Sequence, residues 1–126
     1  MPEARGKITA EGETLALARQ LIACRSVTPA DGGCQQILAR RLERSGFAIE
    51  RLRCGAVDNL WARRGSARPL VCFAGHTDVV PPGPLDMWSH APFDPVIRNG
   101  WMYGRGAGDM KAGCVSNLAA LDALAR

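Results

Sequence analysis

The sequence has only two histidines, a single tyrosine and no glutamate beyond position 50 in its 126 residues. Aromatic residues make up 6% of it, and no basic run is interleaved with them, which argues against a stacking platform for nucleic-acid bases. The five cysteines, at positions 24, 34, 54, 72 and 114, form no C-x-x-C pair. An odd, scattered set supports neither a disulfide framework nor a zinc ribbon. It suits a reducing cytoplasm, with each thiol packed as a small buried hydrophobe. No apolar run approaches the ~18 residues of a membrane span, and the N-terminus has no apolar h-region of a secretory signal. The chain is therefore expected in the cytoplasm.

What remains is ordinary globular composition, 47% apolar and 22% charged, on a length that suits one domain. The net charge of +4 is unevenly spread. Residues 1–70 carry 12 basic against 7 acidic side chains, and residues 71–126 carry 4 against 5. The basic half includes the pairs Arg40-Arg41 and Arg63-Arg64. They read as a solvated arginine-rich face in preference to a nucleic-acid surface.

Periodicity gives the order of elements. The first ten or so residues read as a loose lead-in. Residues 13–24 place Leu15, Ala18, Leu21 and Ile22 at helical spacing, and residues 34–45 repeat the pattern, with Gly46 where a helix C′ glycine belongs. Residues 47–53 and 59–63 read as short strands. Residues 70–74, LVCFA, form a continuous apolar run and predict a central strand covered on both faces. A proline-rich loop follows. Asn99-Gly100 between apolar residues predicts a hairpin. A glycine-rich loop at 104–108 leads into a last helix with Met110, Cys114, Leu118, Leu121 and Ala125 on one stripe. Helices alternating with strands give an α/β fold class.

Three residues could carry chemistry. His76 directly follows the apolar run, where ligands bind in open α/β sheets. It reads equally as an ordinary loop histidine. Asp78, two residues on, could fix an imidazole tautomer or simply form a turn. Asp109, in GRGAGDMK, is an ordinary N-cap on local grounds; the functional alternative is a metal ligand delivered by a tight glycine loop. That loop does not match the phosphate-binding glycine patterns, so a nucleotide site ranks last. His90 lacks a nearby carboxylate pattern and reads as a surface residue.

Residues 70–113 carry a family resemblance. FAGHTDVVPPG, then Trp88 with Pro92-Phe93, then IRNGWMYGRGAGDMKAG, resemble the dizinc aminoacylase and carboxypeptidase family of amidohydrolases. NLWARRG and SVTPADGGCQQILARRLERSGF upstream also fit. The resemblance implies a three-layer α/β sandwich with a central mixed sheet, the zinc-peptidase-like catalytic domain. It implies that His76 binds zinc and that Asp78 is the catalytic-site aspartate that holds that histidine. It further implies that Asp109 bridges two zinc ions, one replaceable by cobalt, with a cis peptide to Met110.

The implied substrate is a small N-acyl amino acid, with no nucleic acid or membrane partner. The first choice is N-succinyl-LL-diaminopimelate, hydrolysed to succinate and diaminopimelate; an acetylornithine-type deacylation is the alternative. The family's paired glutamates, later acidic ligand and late histidine have no counterpart here. Residues 1–126 are thus expected to be the N-terminal part of a catalytic domain, incomplete at its C-terminal side. The rest of that domain and a dimerisation domain are missing, and the complete enzyme is expected to be a homodimer. Alone, the chain is expected to be inactive. A non-catalytic remnant or interaction module of the same fold is the rival from another class.

Overall fold

The computed structural model describes the backbone of residues 2–126 and the side chains of residues 12–126. The order is α1 (Pro2–Ala23), α2 (Cys34–Arg44), β1 (Ala48–Cys54), β2 (Val57–Arg63), a short 3-10 turn (Leu85–Met87), β3 (Val96–Arg98), β4 (Trp101–Tyr103) and α3 (Ala112–Leu124). The N-terminal residues read as a lead-in belong instead to α1, which continues the helix backward to Pro2.

α2 is fixed at both ends by local chemistry. Asp31 accepts hydrogen bonds from the backbone N–H of Gly33 (3.1 Å) and Gln35 (3.2 Å), so it satisfies the open donors that begin α2. Gly46 closes α2 at φ +85°, and Phe47 N–H returns to Leu42 C=O at 3.1 Å. Side chains without a glycine's freedom resist that turn.

The three helices meet in one core. Leu17 and Leu21 of α1, Cys34, Leu38 and Leu42 of α2, and Cys114, Val115 and Leu118 of α3 are buried together. Each buried leucine contributes roughly 1.5–3 kcal/mol of transfer free energy. Ile49, Leu60 and Ala62 of the first hairpin pack against this cluster. Asp122 of α3 joins α2 by an ion pair with Arg41 (3.2 Å) and a hydrogen bond from Ser45 Oγ (2.6 Å).

The strands form two antiparallel pairs, β1 with β2 and β3 with β4. β2 begins at Val57, earlier than the pattern suggested, because Gly55 at φ +60° opens a two-residue turn between the paired Cys54 and Val57. The Asn99-Gly100 hairpin is as read from sequence. Both residues have positive φ (52° and 80°), the requirement of a turn that matches strand twist.

One expected strand is absent. Residues 70–74 make no ladder, and Leu70, Val71 and Phe73 are 51%, 72% and 42% exposed. The apolar composition suits burial, but the run is neither a strand nor covered. Burial needs neighbours, and among the described residues no strand pairs with this run. For the same reason Cys72 is exposed, as is Cys54 on the open hairpin; only Cys34 and Cys114 are buried as expected of all five.

Burial raises the Cys34 thiol pKa to about 11, against the lowering pull of Lys111. At mildly alkaline pH, iodoacetamide should therefore modify Cys54 and Cys72 and spare Cys34 and Cys114 until the chain unfolds. Peptide mass spectrometry reads this directly. Labelling of Cys34 in the folded chain as fast as Cys54 would contradict the packing described.

Candidate metal centre

The loop between α1 and α2 sets the site. Val27 and Val79 form a parallel bridge: Val79 N–H donates to Ser26 C=O (2.9 Å) and Thr28 N–H to Val79 C=O (3.1 Å). The buried Ser26 hydroxyl donates to Thr77 C=O at 2.7 Å. These bonds clamp residues 77–79, so His76 and Asp78 leave a fixed backbone although the run before them is unpaired.

His76 lies between two carboxylates. Its Nδ1 is 3.1 Å from Asp78 Oδ1, and its Nε2 is 3.0 Å from Asp109 Oδ1. The Thr28 hydroxyl donates to Asp78 Oδ2 at 2.5 Å. A chain of contacts thus runs from Thr28 through Asp78 and His76 to Asp109, bringing together all three residues singled out in the sequence.

The electrostatics follow from these contacts. Desolvation pulls the His76 pKa down, but hydrogen bonds to the Asp78 backbone carbonyl (3.1 Å from Nδ1) and to the Asp109 carboxylate, with both carboxylate charges, outweigh it, so the imidazole sits above its ordinary value. The Thr28 hydrogen bond is the main cause holding Asp78 below the ordinary carboxylate range; partial desolvation opposes it, and the His76 charge assists.

Asp109 is not an N-cap. It has extended backbone (φ −122°, ψ 96°), Met110 is also non-helical, and α3 starts only at Ala112. No side chain caps that helix. The Asp109-Met110 peptide is cis, as the resemblance implied. The Asp109 side chain is 90% exposed and opens into a cleft of about 390 Å³ that also takes in Thr28, His76 and Asp78.

The glycine loop is built for close packing. A Cβ at Gly104 would come within 2.5 Å of Ile22 Cγ2, and one at Gly106 would collide with the Val79 side chain. Gly106 also has φ +80°. Its carbonyl accepts from Lys111 N–H at 2.9 Å. Lys111 is fully buried, and its Nζ donates to Cys24 C=O at 3.0 Å just beyond the end of α1. Burial holds its pKa below the ordinary lysine value. The cation at a helix C-terminus is favourably placed, and it fixes the backbone that presents Asp109.

Two functional contributors were missed from sequence. Thr28 was passed over in a loop 50 residues from Asp78. Lys111 carries no role in the motif reading. Neither Thr28 nor Lys111 has a local signal, because each meets its partner far along the chain. His90, read as a surface residue, is half-buried edge-on against Trp88, with ring centroids 5.7 Å apart.

The donor set fits part of a zinc site. His76 Nε2 and Asp109 Oδ1 stand 3.0 Å apart, a separation that suits either a hydrogen bond or a shared metal ion. Zinc binds imidazole nitrogen and carboxylate oxygen at roughly 2.0–2.2 Å, which donors this close can share. With Nδ1–H donating to Asp78, Nε2 keeps its lone pair for the ion. Among the described residues no group of three or more His, Cys, Asp or Glu could hold a metal. Catalytic zinc usually has three protein ligands.

Residues 72–126 match the sequence profile of Peptidase family M20/M25/M40. The chain is 64% identical over 111 residues to the succinyl-diaminopimelate desuccinylase of Nitrosospira multiformis, covering 88% of this chain and 29% of that protein. It is 61% identical over 109 residues to the same enzyme of Azoarcus sp., covering 86% and 29%. The chain thus spans under a third of the length of these relatives. Human carnosine dipeptidase 1 superposes with a TM-score of 0.78 at 25% identity, covering 90% of this chain and 28% of that one. The likeness supports a mixed α/β fold. Residues 72–126 thus match the profile of Peptidase family M20/M25/M40, and over 88% of its length the chain is similar to the succinyl-diaminopimelate desuccinylase of Nitrosospira multiformis.

Proposed function

We propose that this chain is the metal-binding edge of a two-zinc amidohydrolase that removes succinate from N-succinyl-LL-diaminopimelate. The observation that carries the chemistry is the convergence of His76 Nε2 and Asp109 Oδ1 at 3.0 Å, with Asp78 behind the imidazole. The acyl group is inferred from the desuccinylases that the chain resembles.

Each residue then has a role. Asp78 would hold the proton at His76 Nδ1, so that Nε2 could serve a bound zinc as a neutral donor. Thr28 keeps Asp78 in place and ionised. Asp109, whose side chain opens into the cleft, would hold metal together with His76. The glycine loop and Lys111 fix the backbone around Asp109. A bound zinc pair, with cobalt accepted at one position, would supply a polarised amide carbonyl and an activated water.

The remaining ligands and the general base lie in the part of the relatives that this chain does not span. In this reading the whole protein completes a three-layer sandwich with a central mixed sheet, works as a homodimer and resides in the cytoplasm. Among the described residues no helix is long and apolar enough to cross a membrane.

The test has two arms. Alone, the chain should release no succinate above background, because losing a positioned base forfeits roughly 10²–10⁴ in rate. Joined in frame to the unmatched remainder of the Nitrosospira multiformis desuccinylase, it should release succinate in the presence of zinc. A folded chimera that binds zinc but cleaves only the acetyl substrate would replace this reading with an acetylornithine-type one. Inactivity on both substrates would favour the non-catalytic one.

A further inference from the structure

We propose that the arginine-lined cleft at the far end of α3 from Asp109 binds a di- or triphosphate group. The cleft is a cavity of about 880 Å³ between α1, α2, the end of α3 and Arg64, which follows β2. It shares no lining residue with the cleft around His76 and Asp109. Its volume lies within the roughly 300–1,000 Å³ of small-ligand sites. The proposal concerns binding and does not rest on the proposed hydrolysis.

Five arginines line the cleft, Arg40, Arg41, Arg44, Arg64 and Arg126, against the two carboxylates of Glu13 and Asp122. Arg41 takes both, at 3.8 Å from Glu13 and 3.2 Å from Asp122. Asp122 also accepts the Ser45 hydroxyl at 2.6 Å. No lining carboxylate is left for the other arginines. Among the described residues, Arg40, Arg44 and Arg64 have neither an ion pair nor a hydrogen bond.

A merely solvated arginine face does not account for this placement. The pair Arg63-Arg64 splits. Arg63 Nε donates to Gly65 C=O at 3.2 Å, whereas Arg64 reaches back to Gly46, where a Cβ would come within 3.4 Å of its Nε. The Leu42 and Glu43 carbonyls at this end of α2 already accept backbone N–H groups, so Arg64 is not there to cap them. Arg40 and Arg44 are four residues apart on α2, so their like charges share a face at a cost to the helix.

Three unpaired guanidinium groups around one cavity suit an anion of several charges. The planar guanidinium fork matches phosphate oxygens bidentately. A chain of two or three phosphates spreads its charge across groups from both α2 and the end of β2. Inorganic polyphosphate and nucleotides share this chemistry, and the test separates them.

The test is isothermal titration calorimetry in metal-free buffer, on this chain and on the joined polypeptide. The probes are inorganic triphosphate, ATP, AMP, orthophosphate and succinate. Triphosphate should bind one site, at least about tenfold more tightly than orthophosphate or succinate, and more weakly as salt rises. Arg64→Gln and Arg44→Gln should each weaken it at least about tenfold. Arg98→Gln, which removes an exposed charge outside the cleft, should leave it unchanged. Arg64→Lys keeps the charge and loses the fork, so it should also weaken binding. Should Arg44→Gln fail to fold, the two Arg64 variants decide the matter.

ATP that binds like triphosphate, with AMP silent, would assign the phosphate chain alone; ATP at least about tenfold tighter would assign a nucleotide. Absence of triphosphate binding at low salt would overturn the proposal. So would an equal loss in Arg64→Gln and Arg98→Gln, or succinate binding as tightly as triphosphate. Binding to this chain that vanishes in the folded, joined polypeptide would overturn it too, because the remainder of the protein then fills the cleft.

Discussion

Replacing Gly106 by alanine should destabilise the chain by about 2–5 kcal/mol and disorder the metal centre. Two effects add. A non-glycine residue in the left-handed region costs about 1–2 kcal/mol, and Gly106 has φ +80°. Overpacking adds about 1–3 kcal/mol, because the new Cβ would collide with Val79. Val79 is 4% exposed, β-branched and held by the bridge to Val27, so it has little room to yield. Against a typical total of about 5–15 kcal/mol, that loss threatens the folded state itself. The control is Gly100→Ala. Gly100 shares φ +80°, but nothing lies within 4 Å of the added Cβ. Chemical denaturation of both variants should show a small shift for Gly100→Ala and a large one for Gly106→Ala. Equal shifts would mean that Val79 moves aside freely.

In the joined, active polypeptide, Asp109→Ala and His76→Ala should each abolish zinc-dependent succinate release, whereas Asp78→Asn should reduce metal affinity or turnover by roughly 10–100-fold. The grading follows from geometry. His76 Nε2 and Asp109 Oδ1 face the same point, so losing either leaves a single donor at 3.0 Å from nothing. Asp78 acts through the imidazole, at 3.1 Å from Nδ1. Its amide replacement keeps the shape and loses the charge that favours Nδ1–H. Zinc content by elemental analysis separates lost metal from lost turnover. Full activity in Asp109→Ala would remove Asp109 from the metal centre.

Local features of the fold were legible because their causes are local. Asn99-Gly100 specifies its own turn, and Gly46 its own helix end. The three candidate residues His76, Asp78 and Asp109, which the structure brings together, were legible because short motifs carry them. Local reasoning also misled at Asp109, since a carboxylate ahead of a helical stripe has the pattern of an N-cap. The extended backbone there comes from packing around Gly106 and Lys111, and no window of a few residues contains it. Thr28 and Asp78 meet across 50 residues of chain, so their contact has no local signature. Residues 70–74 teach a different point. An apolar run reports the environment that a segment suits, and it cannot report whether pairing strands lie in the same stretch of chain.

The claim at the centre of this account is that His76 and Asp109 hold a metal ion. The most direct measurement is a zinc titration of the folded chain followed through its two histidine side chains by NMR. The account predicts that the His76 ring nitrogen resonances shift on zinc addition, that His90 is unmoved, and that Asp109→Ala weakens the response at least about tenfold. A response confined to His90 or the exposed thiols, or a His76 shift indifferent to Asp109→Ala, would contradict it.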